Sequence, residues 1–515
     1  MNLTDVILNN VRRYPEKLAL ACGDTRLSYR AFNERCNRLA NLFCTLNLSK
    51  GEHFALLSKN CHCHFETFYA AAKTGTVFIP LNYRLSPREL IYILNDSEAR
   101  ILFFAKEYLS VVKTIQKDLK GVNTYICIDD SIEKMASYEE LLSRSSPSEP
   151  DSSFVKEEDL VTIIYTSGTT GYPKGAMISH RNRMTDMIHQ VIDSEYIEPE
   201  DVYLNIGPLY HVGGLSQSHG HLFMGCTVVV LGEFDPKRIF ELIEKERIRI
   251  LWAAPTMIHM LIDYPEAKKH DHSSLKTITY AGSPMPVELL KRAIRFFGEN
   301  VFIQFFGMTE TGPQITHLPR KDHIPQGTER QLKRLRSVGL ESQYVHARIV
   351  DDEDRDLPPY QIGEIIVKGE GVTKGYWRNP EETKKAIKDG WFHTGDMGYM
   401  DEDRYFYIVD RKKDMIISGG ENIYSAEVEN VLYMHPAISE ATVIGVPHEK
   451  WVETVKAVVV LKPGAQATEE EIIEFCKKNL ASYKKPTSVE FVNELPKTPS
   501  GKVLKWRLRE IYAKK

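Results

Sequence analysis

Tyr165-Thr166-Ser167-Gly168-Thr169-Thr170-Gly171-Tyr172-Pro173-Lys174-Gly175 follows the apolar run 160–164, so a short strand delivers a loop of glycines, hydroxyls and one lysine. Glycines let the backbone turn its N–H groups toward an anion, the Ser and Thr hydroxyls add donors, and Lys174 supplies a mobile positive charge. That is the composition of a phosphate cradle. A solvated Gly/Thr surface loop has the same composition, so the loop alone leaves both readings open. The Walker spacing G-x-x-x-x-G-K-[ST], the dinucleotide fingerprint G-x-G-x-x-G and the zinc-protease H-E-x-x-H are absent.

Working outward, apolar runs at 53–58, 76–80, 99–104 and 227–231 alternate with helical periodicity at 87–95 and 236–246, which predicts α/β layers with largely parallel sheets. Residues 145–153, SSPSEPDSS, read as a polar connector between an opening α/β unit and a second one that begins at Leu160. Asp410-Arg411-Lys412-Lys413-Asp414 sits between apolar runs, and five successive charges predict an unburied, hinge-like segment. Beyond it come a helix over 426–433, strands over 440–446 and 454–461, a helix over 469–480, a strand over 488–492 and a closing amphipathic helix from Val503. That α+β pattern is enough for a domain of its own.

The 515 residues allow about three structural units, and 42% hydrophobic content is too apolar for disorder. Sixty-six basic against 70 acidic side chains leave no bulk field for nucleic acid or anionic lipid, so a polyanion must be met locally. No apolar run of ~18 residues and no basic-then-apolar start occurs, which predicts neither membrane span nor signal peptide and makes a cytoplasmic enzyme the expectation. Eight scattered cysteines read as free thiols in a reducing compartment. Cys61-His62-Cys63-His64 has the residue types of a metal tetrad. Adjacent residues cannot all converge on one tetrahedral ion and no second ligand pair follows, so a buried helix start is the expectation.

Further segments complete a series. Pro208-Leu209-Tyr210-His211-Val212-Gly213-Gly214, Phe305-Phe306-Gly307-Met308-Thr309-Glu310-Thr311, Thr394-Gly395-Asp396, the stretch 410–427 and Pro496-Lys497-Thr498-Pro499-Ser500-Gly501-Lys502 follow the glycine loop in order. With it they resemble the motifs of the adenylate-forming superfamily: acyl-CoA synthetases, peptide-synthetase adenylation domains and luciferases. The resemblance covers essentially the whole chain. It implies an N-terminal AMP-binding domain over 1–409 with subdomains divided near 145–160, a hinge at 410–414, and a small mobile α+β lid over 415–515.

It also implies a two-step reaction in which a carboxylate and ATP form an acyl-adenylate and pyrophosphate, and CoA then takes the acyl group. Thr166, Ser167, Gly168, Thr169, Thr170, Gly171 and Lys174 would hold the β- and γ-phosphates. Glu310, with the Thr166 hydroxyl, would carry Mg²⁺, a hard cation that takes oxygen ligands, and Thr309 would bond the α-phosphate. Phe306 stands where the family more often has Tyr, so its face remains for adenine without the hydroxyl; Gly307 and Met308 accompany it. Gly282, Ser283 and Pro284 match the backbone strip beside adenine and acyl group. Asp396, backed by Arg411 and with Ile408 alongside, would accept both ribose hydroxyls.

Lys502 is implied as the catalytic cation between carboxylate and α-phosphate, and His211 as a gate to an acyl pocket formed by Tyr210, Gly213, Gly214, Ala281 and Gly282. Lys413 falls at the hinge. Gly419 and Gly420 match the pantetheine channel, and Trp451, Tyr483 and Lys485 positions that contact CoA.

The run Ser418-Gly419-Gly420-Glu421-Asn422-Ile423-Tyr424 looks like acyl- and aryl-CoA synthetases, and the chain stops thirteen residues after Lys502, without a trailing carrier domain. A stand-alone acid:CoA ligase is therefore the expectation, acting on a medium- or long-chain fatty acid; an aryl or o-succinylbenzoate-type acid comes next. A stand-alone peptide-synthetase-like adenylation enzyme and a non-catalytic nucleotide-binding protein are more distant alternatives. The expected partners are the acid, ATP and CoA, and a homodimer is admissible. The basic stretch 320–336 reads as a phosphate contact or a solvated loop.

Overall fold

The computed structural model describes residues 3–129, 132, 136–166, 173–195, 197–418, 421–449, 451–497 and 503–512. Two large sheets form the body. The first runs, edge to edge, through strands Ala136–Ser137, Thr124–Cys127, Ile101–Phe104, His53–Leu57, Val77–Leu81, Leu160–Thr166 and Lys174–Ser179. All neighbours are parallel except the last pair, a hairpin in which Thr166 faces Lys174. The second has nine strands with a parallel centre, Phe302–Met308, Thr277–Tyr280, Ile250–Ala253, Val202–Asn205, Thr227–Val230 and Leu18–Cys22, and antiparallel strands at both ends.

Side chains alternate across each sheet, so one strand feeds two cores. Phe54 and Leu56 point into a core shared by both sheets and by helices Tyr29–Thr45 and Cys63–Thr74, while Ala55 and Leu57 pack on the opposite face. The outer face of the second sheet is covered by Pro236–Glu246, Pro255–Ile262 and Val287–Phe297. The helix Pro236–Glu246 matches the expected bounds: Asp235 accepts hydrogen bonds from the backbone of Lys237 and Arg238, Pro236 opens the first turn, and Arg247 ends it in the left-handed region. A third, antiparallel sheet spans residues 345–411.

The chain from Ile416 onward has its own sheet, with Val452–Leu461 at its centre, and its own core around Ile416, Val428, Val443, Val455 and Ile472. A large N-terminal α/β domain and a small α+β C-terminal unit are thus both present.

Two expectations need correction. The connector 145–153 is not a boundary between sheets, because Leu160–Thr166 joins the sheet already formed by residues 53–127 through the Phe78 and Thr162 pairing. The strands Leu18–Cys22 and Thr25–Ser28 meanwhile belong to the other sheet. Ser- and Pro-rich composition marks where chain crosses the surface, whereas sheet membership is decided by pairing between distant segments. The charged run 410–414 is not uniformly exposed either. Asp410 is buried because its carboxylate accepts hydrogen bonds from the backbone N–H groups of Ser425 and Arg411.

Candidate functional site

The strand Leu160–Thr166 and the strand Phe302–Met308 belong to different sheets, and they bring Thr166 to Glu310. Glu310, in a single turn after the second strand, is only 8% exposed; its Oε1 accepts the Thr166 hydroxyl at 3.2 Å and the Tyr376 hydroxyl at 3.1 Å. Burial, then the Glu310 charge, pushes the Tyr376 phenol well above its ordinary range, so it stays a donor at physiological pH. Lys174 ion-pairs with Glu382 and lies 5.3 Å from the centre of the Tyr376 ring. Glu382 is held at about 2 by its hydrogen bonds from Lys174 and then Lys385.

The segment 373–377 stitches this corner together. Thr373 N–H donates to the Glu310 carbonyl at 2.7 Å, Trp377 N–H to that of Gly175 at 2.8 Å, and the Thr373 hydroxyl to that of Met177 at 2.7 Å. Ser167, Gly168, Thr169, Thr170 and Gly171 lie outside the described residues.

Gly307 has no room for a side chain, since a Cβ would fall 2.5 Å from the Pro313 carbonyl carbon. Thr309 is buried beside Glu310, while Met308 N–H meets the Thr311 hydroxyl at 3.3 Å. Phe306 and Ile408 pack on one apolar cluster with Ile315, Ile365 and Phe406, which places the expected adenine and ribose motifs together. Asp396 and Arg411 are directly paired across their two strands, and Arg411 Nε donates to Asp396 Oδ1 at 2.8 Å. Glu364 supports that turn by accepting Gly395 N–H at 3.0 Å. Gly282 (φ +92°), Ser283 and Pro284 form the turn after Thr277–Tyr280, at the carboxyl end of that parallel strand.

His211 caps the helix Val212–Phe223, its Nδ1 accepting Gly213 N–H at 3.3 Å. Gly214 is required, because a Cβ would meet the Pro208 carbonyl oxygen at 2.4 Å, and a Cβ on Gly213 would stand 3.1 Å from the Trp252 ring. Trp252, Tyr203, Leu209, Val212 and Leu215 belong to one buried cluster, with Ala281 packed against it. Tyr210 is buried and meets Tyr83 edge-on at 5.6 Å.

Trp451 and Tyr483 are 44% and 47% exposed, Lys485 is half-buried, and Gly419, Gly420 and Lys502 lie outside the described residues. Lys413 is exposed beside Asp414, which Arg509 of the closing helix grips at 2.8 Å. The basic stretch spends charge on acids: Arg334 lies 3.2 Å from both Asp322 and Asp403.

Sequence reasoning missed Tyr376, Glu382 and Trp252. Tyr376 lies 66 positions from Glu310 and Glu382 lies 208 from Lys174, so no local spacing relates them. A usable signal was Gly375, whose φ of +117° marks a turn just before Tyr376.

Comparison with known proteins agrees with this geometry. The AMP-binding enzyme family model matches residues 7–377, and the AMP-binding enzyme C-terminal domain matches 427–502. A feruloyl-CoA synthase of an Amycolatopsis species is 36% identical over 507 residues, 98% of either chain. The long-chain-fatty-acid–CoA ligase FadD13 of Mycobacterium tuberculosis is 34% identical over 496 residues, 95% of this chain and 94% of its own. The crystal structure of ATP-bound MatB from Rhodopseudomonas palustris superposes with a TM-score of 0.89 at 30% identity, covering 100% of this chain and 99% of that one. Among the described residues no helix is long and apolar enough to cross a membrane. The chain therefore belongs to the AMP-binding enzyme family, among its acyl- and aryl-CoA ligases.

Proposed function

We propose that the protein is an ATP-dependent carboxylic acid:CoA ligase whose phosphate corner is Thr166, Lys174 and Glu310 and whose ribose site is Asp396 with Arg411. The observation that carries this is the buried Glu310 carboxylate gripped by Thr166 and Tyr376. A carboxylate and a hydroxyl are hard oxygen donors, and they fit Mg²⁺. Held by Glu310 and the Thr166 hydroxyl, Mg²⁺ would supply positive charge beside the β- and γ-phosphates.

Lys174, with the hydroxyl-rich loop 166–171, holds the leaving phosphates in line, and Thr309 bonds the α-phosphate. Phe306, Gly307, Met308 and Ile408 flank the base and ribose, with Gly282, Ser283 and Pro284 on the other side. Lys502 offsets the charge that gathers as the substrate carboxylate attacks the α-phosphorus, and His211 closes the acyl side. A turn of the C-terminal unit about Lys413 then exchanges Lys502 for the CoA channel at Gly419 and Gly420, with Trp451, Tyr483 and Lys485 on the nucleotide end. The CoA thiol attacks the acyl carbonyl and AMP leaves.

For the acid, a medium- or long-chain fatty acid is the first reading, supported by the apolar cluster of Val212, Leu215 and Trp252 behind His211, with Tyr210 buried next to it. An aryl acid is the second. It is favoured by the flat Trp252 ring, which fills the space beside Gly207 and Gly213 and would shorten a tunnel.

The test is pyrophosphate release with a panel of carboxylates, with and without CoA. Glu310→Gln is expected to lower kcat/KM by ~10²-fold or more. Wild-type rates in that variant would overturn the metal assignment, and AMP release indifferent to CoA would overturn the ligase reading. Trp252→Ala should improve long-chain acids relative to aryl acids if the indole ends the pocket.

A further inference from the structure

The turn Thr309–Thr311, which carries Glu310, leads into the strand Gly312–Leu318, and that strand packs on the helix His180–Asp193. Ser179 caps the helix in a reciprocal pair with Asn182, so its first turn is fixed. Asn182 also reaches out of it: Nδ2 donates to the Glu370 carbonyl at 2.7 Å and to the Val372 carbonyl at 2.9 Å. The next residue of the segment it holds is Thr373, whose N–H donates to the Glu310 carbonyl at 2.7 Å.

One turn further along the helix, Asp186 stands against both of these chains. A Cβ on Gly312 would lie 2.2 Å from Asp186 Oδ1; one on Gly371 would lie 3.1 Å from the same oxygen and 3.3 Å from the Thr311 carbonyl oxygen. Gly312 follows the Glu310 turn directly, and its φ of +75° is in the left-handed region. The two glycines thus let one carboxylate oxygen meet both segments that join at the Glu310 carbonyl.

Asp186 is itself held. Arg183, on the same helix, donates through Nη1 to Asp186 Oδ2 at 3.4 Å and to the Ser216 hydroxyl at 2.8 Å. Its guanidinium carbon lies 5.9 Å from the centre of the Phe68 ring, so the helix Cys63–Thr74 backs it. Ser216 belongs to the helix Val212–Phe223 that His211 caps. Arg183, Asp186 and Ser216 are all buried. A buried pair at this separation is a poor source of stability, because the cost of desolvating both charges offsets most of their attraction. What it supplies is direction: the guanidinium fixes where the Asp186 carboxylate stands.

We infer that Asp186, oriented by Arg183, is a positioning residue for the metal corner: it keeps the turn 309–312 seated on the segment 370–373 and so sets where the Glu310 carboxylate meets Mg²⁺. It acts through the backbone at Gly312 and Gly371. The Thr166 and Tyr376 hydroxyls both end on Glu310 Oε1, so a shift of the turn would misalign two hydrogen bonds and a ligand oxygen together.

The metal side of this rests on the assignment of Mg²⁺ to Glu310 above, whereas the seating of the turn does not. Two readouts keep them apart. Removing Asp186 alone leaves Arg183 as a buried unpaired cation, so Asp186→Ala is accompanied by the double variant Arg183→Met with Asp186→Ala. In the full-length protein without nucleotide, amide hydrogen exchange is expected to quicken over 305–318 and 368–376 in both variants and to stay unchanged over 236–246. The Mg²⁺ concentration for half-maximal carboxylate-dependent pyrophosphate release should rise about tenfold, while KM for the acid stays within about twofold. Asp186→Asn keeps the shape and the acceptor for Arg183, and should return the Mg²⁺ requirement to within about threefold of wild type.

Unchanged exchange over 305–318 in the folded double variant overturns the seating. Faster exchange with an unchanged Mg²⁺ requirement, or with an equal rise in KM for the acid, makes Asp186 a structural residue and overturns the positioning role. Wild-type rates in Glu310→Gln overturn the metal assignment and the Mg²⁺ half of the inference with it, and exchange then decides the seating alone.

Discussion

Glu310 in the body is 8% exposed and receives hydrogen bonds from two other segments, whereas Trp451 and Tyr483 of the C-terminal unit are 44% and 47% exposed and face solvent. The body's corner is organised before any ligand arrives. Thr166, Lys174, Glu310, Tyr376 and Glu382 come from separated segments and are tied by side-chain and backbone bonds, so their orientation costs little at the moment of reaction. The C-terminal unit has its own core, and near its entry segment Asp410 accepts Ser425 N–H and Asp414 accepts Arg509 Nη1. A unit with a core of its own suits a part that changes position, because it can turn without unfolding.

The largest test of that contrast is Lys502→Ala. Adenylate formation should fall by ~10³-fold while thioester formation from supplied acyl-adenylate persists. Equal loss in both steps would end the idea that the unit presents different faces to each.

Next is the body's buried ion network. Burial alone would raise Glu66, but His62 and Arg35 bring it from 4.5 to about 2. A depressed carboxylate stabilises the fold above its unfolded pKa, and that contribution is lost as pH falls through the folded value. Glu66→Gln should therefore cost ~3 kcal/mol at pH 7 by denaturant titration, and the gap from wild type should narrow steadily from about pH 5 down to about pH 2. A gap that does not change with pH would show that Glu66 acts through shape rather than charge.

Tyr376→Phe removes one hydrogen bond to Glu310 and should cost about 1.4 kcal/mol, near tenfold in kcat/KM for ATP, with a higher Mg²⁺ requirement. An unchanged Mg²⁺ titration would separate Tyr376 from the metal site.

The smallest effect belongs to the C-terminal unit. Val452 holds φ +71°, a conformation costly for a β-branched residue, and is 71% exposed. Val452→Gly should stabilise that unit by ~1 kcal/mol, read as a higher denaturation midpoint, after the glycine's own entropy cost is counted. A lower midpoint would mean that the valine side chain packs where it seats the neighbouring Trp451.

Local signals in the sequence carried the elements closely. The helix Pro236–Glu246 matches its expected span, and Glu469–Asn479 ends one residue before it, because caps and 3.6-residue periodicity are written in adjacent residues. Glu310, Thr166, Asp396 and Arg411 were legible from motif order, and the structure brings each expected pair into contact. Glu382 as the partner of Lys174, Trp252 against Gly213, and Asp186 against Gly312 were not legible. Each depends on which faces meet once strands have paired, and no periodicity encodes that.

By itself, then, the sequence determined the element types, the chemistry-bearing motifs and a charge balance so even that any polyanion must be met by a few local cations. Tertiary structure alone decided that residues on either side of the 145–153 connector share one sheet, that the charged run at 410 is partly buried, and which tyrosine and glutamate set the charge around Glu310 and Lys174. Short-range pattern follows from the geometry of one chain segment. Pairing and burial follow from surfaces that become neighbours only when the whole core forms.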